Sequence, residues 1–466
     1  MRDRALIAVV AVALAARLLF FSFVNPVGWD EKAFYQHSFY DASEYHNQTK
    51  EFVKDLDGGL LNPFIAYRYT HKIPAYPAYI AFFYATLGGN AWPVFLSQIL
   101  LDCATTALVY LITKRLTAMR HAPTIAALIY ATDPGTIYYA STLMTETVFI
   151  FLVTASTYIL TAAEERGWRK TDLAAAGLTL GASTLFKYMG ILLPAAFLAC
   201  MFFSKGFRSL GARRILVAAA VFMAAYAFAL APWQLRNYQV YGHYALTTAA
   251  GYNFCHFNAG DAWYVLKESP QPDSFCRVEG AKNPFEKAEA NLNAGLSYVL
   301  RHPAVYLRLH VDGMYSLFFG RPETIPARIW QLYGDILGGH GLSERGFIQA
   351  LGGYMTVLVW SEFVFLFAGT VWLIGDSASP YGKMMLVAPI VYFANITGDY
   401  GSSILGERYI LPLLPFTSII CACGISWAAG RLMRKRPSGR GRRRPVKPRK
   451  GALRPSRRGC LSYPRI

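Results

Sequence analysis

Residues 172–203 read DLAAAGLTLGASTLFKYMGILLPAAFLACMFF. The run is apolar over far more than the ~20 residues that one membrane-crossing helix requires. Lys187-Tyr188 interrupts it near the middle, and basic residues stand on both flanks, Lys170 before it and Arg208, Arg213 and Arg214 after it. Short loops rich in Lys and Arg stay on the cytoplasmic side. With both flanks on that side, one straight span is impossible. The run must cross and return, as two short helices that meet near Lys187 at the outer face.

The same reading extends in both directions. Residues 5–24 form a first span, too long and too poorly followed by a cleavage site for a signal peptide. Arg2 and Arg4 place its start in the cytoplasm. Residues 25–73 then lie outside, where Trp29, Tyr35, Tyr40, Tyr45 and Tyr67 mark amphipathic helices at the interface. Residues 74–88 are apolar but short and Pro-broken, a re-entrant or interfacial piece. Spans follow at 92–113, 123–140 and 143–163, with Lys114-Arg115 stopping the first and Ser141-Thr142 turning outside. Downstream, 215–233 crosses outward, 234–350 is a large outer segment, and 352–374, 384–400 and 409–430 bring the chain back inside. The fold expected is an all-α polytopic membrane bundle of about ten transmembrane helices. Loops at 114–122, 164–171 and 204–214 agree with cytoplasmic N- and C-termini. No fixed-period repeat is visible. Four parts result: a transmembrane catalytic module (1–233), the large extracytoplasmic loop (234–350), C-terminal transmembrane helices (351–430) and a basic cytoplasmic tail (431–466).

Composition agrees. The chain of 466 residues is 54% hydrophobic and 16% charged, where a soluble protein carries about 25% charged residues. The net charge of +18 is a local property, because residues 431–466 hold fifteen Lys/Arg and no acid, leaving 31 basic against 28 acidic residues for the rest. This Pro/Gly/Arg-rich tail reads as disordered and as a topology anchor on anionic lipid headgroups. No nucleic-acid motif accompanies it, so nucleic acid is not an expected partner and membrane lipids are. The seven cysteines show no metal-ligand spacing. Cys103, Cys200, Cys421 and Cys423 read as small core residues. Cys255 and Cys276 share the outer loop and are candidates for a disulfide.

Charge beside or within apolar spans costs about 2.5–3.5 kcal/mol per residue on insertion scales, so it marks functional sites. Asp41, Lys72, Glu146, Lys187, Arg236 and Arg408 all land at or near the outer face. Asp41, in YDASEYH (40–46), is either a general base or a helix N-cap, and local chemistry does not rank it against Asp30-Glu31. Arg68 and Lys72, in YRYTHKIP (67–74), suit a phosphate at headgroup depth or ordinary snorkelling. Glu146 is a site acid or a carboxylate favoured by a helix N-terminus. Asp133, before Pro134 and in mid-span, reads as part of a kink. Lys187, at a break between half-helices, points into a cavity or snorkels. Arg236 follows the belt residue Trp233. Arg408 is an outer arginine that the positive-inside rule disfavours. No phosphate-cradling Gly loop, nucleotide motif or Ser/His/Asp constellation appears, so any phosphate arrives on a lipid.

These residues carry a resemblance. DASEYH (41–46), HKIPAYP (71–77), DPGTIYY (133–139) with TETVF (145–149), PWQLRNY (232–238) and RYILPLLP (408–415) resemble, in order, motifs of the GT-C lipid-linked-sugar glycosyltransferases, near the protein O-mannosyltransferases and the bacterial aminoarabinose transferase. Ile73 stands where that family often has Pro, and residues 240–350 carry no such motif. The resemblance implies a polyprenyl-phosphate sugar as donor and co-substrate, used by a hexosyl- or pentosyltransferase. It implies Asp41 as base, Glu146 as second acid, and Lys72, with Arg68, Lys187, Arg236 and Arg408, as ligands of the donor phosphate. Transfer would occur at the extracytoplasmic side of the membrane, in a bacterium the inner (plasma) membrane. The acceptor, protein, lipid or glycan, is not read from the sequence. Members of the family differ on a divalent metal, so no metal ligand is assigned. The rival readings are a lipid-linked glycan transporter, which would show repeats and mid-membrane charge on several spans, and an oligosaccharide ligase.

Overall fold

The computed structural model describes residues 3–269, 272, 275–276, 280–375, 379–397 and 408–434. Every regular element among them is helical. Helix α1 (Arg4–Val24) is capped by Asp3, whose carboxylate accepts from Leu6 N at 3.4 Å, and stops at Asn25 in the left-handed region (φ 48°). The segment after α1 holds the short helices α2 (Glu31–Gln36), α3 (Tyr40–Asp55) and α4 (Asn62–Ala66). Next comes α5 (Ala75–Leu87), whose 13 residues are too few to cross ~30 Å of hydrocarbon. Helix α6 (Trp92–Leu116) ends on Lys114 and Arg115.

The span expected at 123–140 is broken into α7 (Ala122–Ala131) and α8 (Pro134–Tyr139). Asp133 causes the break, accepting from Thr136 N at 3.0 Å as the N-cap of α8, with Pro134 at its first position. After α9 (Glu146–Glu165) come the two halves of the opening stretch, α10 (Lys170–Phe186) and α11 (Leu193–Met201). Between them Lys187 is extended (φ −147°, ψ 112°) and a single 3₁₀ turn spans Tyr188–Gly190. A short turn, α12 (Lys205–Arg208), leads into α13 (Ala212–Tyr241). The outer segment follows as α14 (Ala249–Asn253), a π turn (Phe254–Ala259), α15 (Gly260–Lys267), α16 (Pro284–Arg301), α17 (Pro303–Phe319) and α18 (Arg321–Gly339). The chain closes with α19 (Glu344–Gly375), α20 (Pro380–Thr397) and α21 (Leu414–Arg434).

Among the described residues, six helical stretches are long and apolar enough to cross a membrane: α1, α6, α9, α13, α19 and Leu411–Leu432. The protein is an integral membrane protein. Of the other expected spans, 123–140 is interrupted at Asp133 and 172–203 at Lys187. The boundaries drawn at 233 and 350 fall inside α13, which runs on through Pro232, and inside α19. The basic tail beyond residue 434 and the end of the 384–400 span lie outside the described residues.

Small residues set two close crossings. A side chain at Gly177 or Gly181 of α10 would strike the backbone of α13 at Phe222 and Tyr226, and one at Gly369 or Gly424 would part α19 from α21. In a membrane such packing replaces the hydrophobic drive that lipid cancels.

Further charge is buried within the helical bundle. Arg17 of α1 is fully buried and pairs with Asp102 of α6. It also donates to the carbonyls of Ala13 (3.0 Å) and Ala131 (2.9 Å) and to Thr136 Oγ1 (3.1 Å), while Tyr130 OH donates to Asp102 at 2.5 Å. Arg321, at the start of α18, pairs with Asp133 and, at 3.2 Å, with Glu362 of α19. Thr136, bonded to both Arg17 and Asp133, joins the two groups into one network. The role of Asp133 is therefore wider than a kink.

Candidate functional site

The first turn of α3 begins the site. Phe39 occupies its N-cap position and makes no side-chain cap bond, so Asp41 does not cap the helix. Residues 41, 44 and 45 share a face by their helical spacing, and all three meet Lys72. Lys72 Nζ lies 3.1 Å from Asp41 Oδ1 and 2.9 Å from Glu44 Oε2, and 4.0 Å above the Tyr45 ring. The other Asp41 oxygen, Oδ2, accepts from Arg408 Nη1 at 2.6 Å. His71 Nε2 contacts Glu44 Oε1 at 2.5 Å.

A second pair adjoins the first. Lys187 Nζ, at the break between α10 and α11, is 2.7 Å from Oε1 of Glu146, the first residue of α9. Tyr409 links the two pairs: Lys187 lies 5.3 Å and the Arg408 guanidinium 5.0 Å from its ring, and its hydroxyl accepts from Arg408 Nη2 at 3.0 Å. Asp41, Glu44 and Glu146 thus balance Lys72, Lys187 and Arg408 in one cluster.

Burial alone would raise the Asp41 carboxyl, but Lys72 and Arg408 outweigh it and hold the group well below the usual carboxylate range. For Lys72, burial pulls the other way, and Tyr45, Asp41 and Glu44 together push the ammonium above its ordinary value. Glu44 is lowered despite its burial, by His71 and Lys72. Burial pushes the Tyr45 phenol up to about 12, so it stays a hydrogen-bond donor.

Two sequence candidates stand apart. Arg236 donates to the carbonyls of Ile65 (3.0 Å) and Tyr67, and its guanidinium lies 4.8 Å from the Trp233 ring. Trp233 Nε1 donates to the Leu246 carbonyl at 2.8 Å, and Asn237 to that of Ala245 at 2.8 Å. The Trp-x-x-Arg-Asn residues therefore brace the backbone on both sides of the site. Thr248 N and Thr247 Oγ1 continue the brace to the carbonyls of Thr70 (2.9 Å) and His71 (2.8 Å), beside Lys72. Arg68 is exposed, and no ion pair ties it to the cluster among the described residues. The sequence reading gave no site role to Glu44, His71, Tyr45 or Tyr409. The three-residue spacing from Asp41 to Glu44 was the signal for the first.

Cys255 and Cys276 form a disulfide (Cα–Cα 6.0 Å). Among the described residues no group of three or more His, Cys, Asp or Glu is arranged to hold a metal ion. A cavity of about 430 Å³ opens beside α3, lined by Trp29, Phe34, His46, Lys50, Tyr84 and Asn90 among others. Burial and nearby Lys50 push the His46 imidazole down to about 4, so it is neutral, and its Nδ1 contacts Tyr84 OH at 2.7 Å.

Residues 71–233 match the sequence profile of the dolichyl-phosphate-mannose-protein mannosyltransferase family. No curated protein matches the chain. Among solved structures the chain is similar to the oligosaccharyltransferase of Archaeoglobus fulgidus in its apo form, with a TM-score of 0.52, 14% identity, 94% of this chain covered and 52% of that one. It is equally similar to the archaeal oligosaccharyltransferase from Archaeoglobus fulgidus in complex with an inhibitory peptide and a dolichol-phosphate (TM-score 0.52, 14% identity, 95% and 52% covered). The chain spans about half the length of these solved proteins, and at such identity the likeness is one of fold. Over residues 71–233 the chain resembles the dolichyl-phosphate-mannose-protein mannosyltransferases, and its helical fold is similar to that of the archaeal oligosaccharyltransferase.

Proposed function

We propose that the protein is a membrane glycosyltransferase that moves a sugar from a polyprenyl-phosphate donor to an acceptor at the outer face. The observation that carries this reading is the convergence of Asp41, Lys72, Glu146, Lys187 and Arg408 from five separate segments. The family match, which includes Lys72, Glu146 and Lys187, supports it.

In the proposed reaction an acceptor hydroxyl or amine attacks the anomeric carbon while the bond from that carbon to the lipid phosphate breaks. The departing phosphate keeps the bonding pair, and Asp41 takes the acceptor's proton. Lys72 and Arg408 neutralise the charge that grows on the phosphate. Glu146, oriented by Lys187, hydrogen-bonds the sugar. Arg236 serves as a brace and Arg68 as a surface cation near lipid headgroups. The outer segment, pinned by the Cys255–Cys276 disulfide, shields the site from water. That disulfide accords with an oxidising outer compartment, and the basic N-terminus and tail with cytoplasmic termini.

Charges buried within a helical bundle are of the kind a transporter uses. Here they are engaged with one another (Arg17–Asp102, Asp133–Arg321–Glu362), which favours the transferase. Whether a single sugar or a longer glycan is moved follows from the donor. The test is sidedness. In proteoliposomes sorted by protease access to the tail, a polyprenyl-phosphate sugar placed in the leaflet opposite the tail should be consumed. Consumption only from the tail-side leaflet overturns the proposal.

A further inference from the structure

We propose that the donor phosphate and Asp41 compete for the same two cations, so that donor binding is what releases the base; the inference rests on the donor reading above. In the structure both Asp41 oxygens are occupied, Oδ1 by Lys72 Nζ at 3.1 Å and Oδ2 by Arg408 Nη1 at 2.6 Å. The three carboxylates Asp41, Glu44 and Glu146 already balance the three cations of the cluster. A phosphate entering this compartment finds every cation paired, so it must displace a carboxylate or remain uncompensated in a poorly solvated place.

The structure indicates which carboxylate yields. The Glu146 side chain is 1% exposed, that of Glu44 20% and that of Asp41 31%, and Asp41 alone is held by both Lys72 and Arg408, so Asp41 is the one whose release frees both cations and which water rehydrates most readily. Arg408 Nε is buried without a hydrogen-bond partner among the described residues. A planar guanidinium with one unfilled donor accommodates a phosphate in two-pronged fashion at little cost in rearrangement. Lys72, held also by Glu44 at 2.9 Å, keeps its place when it exchanges one anion for another.

A carboxylate clamped by two cations is a poor proton acceptor, and one returned to water recovers its ordinary basicity. The base is therefore quiet until the donor is in place, which imposes an order, donor before proton transfer.

Equilibrium binding of polyprenyl phosphate to the purified protein tests this, because that lipid carries the phosphate without a sugar to transfer. Asp41→Asn removes the competitor and should tighten binding at least tenfold. Glu44→Gln, which frees Lys72 from one of its two partners, should tighten it by less. Asp30→Asn, at the N-cap of α2, should leave it unchanged. Unchanged or weaker binding in Asp41→Asn overturns the exchange while the donor reading stands. If Asp41→Asn does not fold, unchanged or weaker binding in Glu44→Gln overturns it equally. Absence of saturable binding in the wild type overturns the donor reading, and the exchange with it.

Discussion

Replacing Arg321 by Met is the sharpest test of how the bundle holds its C-terminal helices. Arg321 and Asp133 are each 1% exposed, and Glu362 is 19% exposed. Met matches much of the aliphatic volume of Arg but leaves two carboxylates facing each other among apolar helices. Removing one member of a buried ion pair destabilises by about 3–5 kcal/mol, because the remaining charge is left uncompensated. Solvent cannot screen this loss at such exposure. Replacing the whole group by neutral residues is often close to neutral. Arg321→Met should therefore cost about 3–5 kcal/mol, and the triple variant Asp133→Asn/Arg321→Met/Glu362→Gln should recover more than half of it. The assay is reversible unfolding in mixed detergent micelles, comparing wild type, single and triple variants. A single variant within ~1 kcal/mol of wild type, or a triple variant no better than the single, would refute the reasoning.

Other outcomes follow from the same geometry. The folded-state pKa of Asp41 is depressed, so its contribution to stability is present above its unfolded value near 3.9 and is lost only as pH falls through the folded value. The stability difference between wild type and Asp41→Asn should thus stay flat from pH 5 to 8, and a change of more than about 1 kcal/mol across that window contradicts the paired arrangement. Arg236→Met should weaken the bracing of residues 65–67 and raise proteolysis in the first outer loop while leaving polyprenyl-phosphate affinity within about twofold, since a direct phosphate contact would cost more; a tenfold loss would return Arg236 to the donor site. Cys255→Ser should free Cys276 to react with a membrane-impermeant maleimide supplied outside intact cells, and labelling seen only after lysis would place that segment inside.

Much of the fold was legible in the sequence because membrane crossing is governed by hydropathy and loop charge, both of which are local. Lys187 was enough to split residues 172–203, and the chain does break there. Lys72, Glu146 and Arg408 stood out as charges beside apolar runs, and the structure brings them together with Asp41, which local chemistry did not rank against Asp30-Glu31 and only the motif resemblance singled out. The buried charge network was not. Arg17, Asp102 and Glu362 each enter an apolar stretch singly, where a hydropathy window averages them away, Arg321 lies among other charges in the 234–350 segment, and Asp133 was read only as part of a kink. Their partners are 85 residues away for Arg17 and Asp102 and 188 for Asp133 and Arg321. Only the folded chain shows that these charges answer one another. Arg236 marks the opposite limit: a motif placed it near the site, but its partners are backbone carbonyls, which no sequence pattern specifies.

The central claim is tested most directly by following label on the donor. Purified protein would be incubated with radiolabelled polyprenyl-phosphate sugars, one sugar at a time, with a membrane extract as the source of acceptor. The account predicts loss of label from the lipid for one class of sugar, abolished in Asp41→Asn with the protein still folded and still binding the lipid. Turnover undiminished in Asp41→Asn would contradict it, as would no turnover with any sugar while labelled lipid moves across the bilayer.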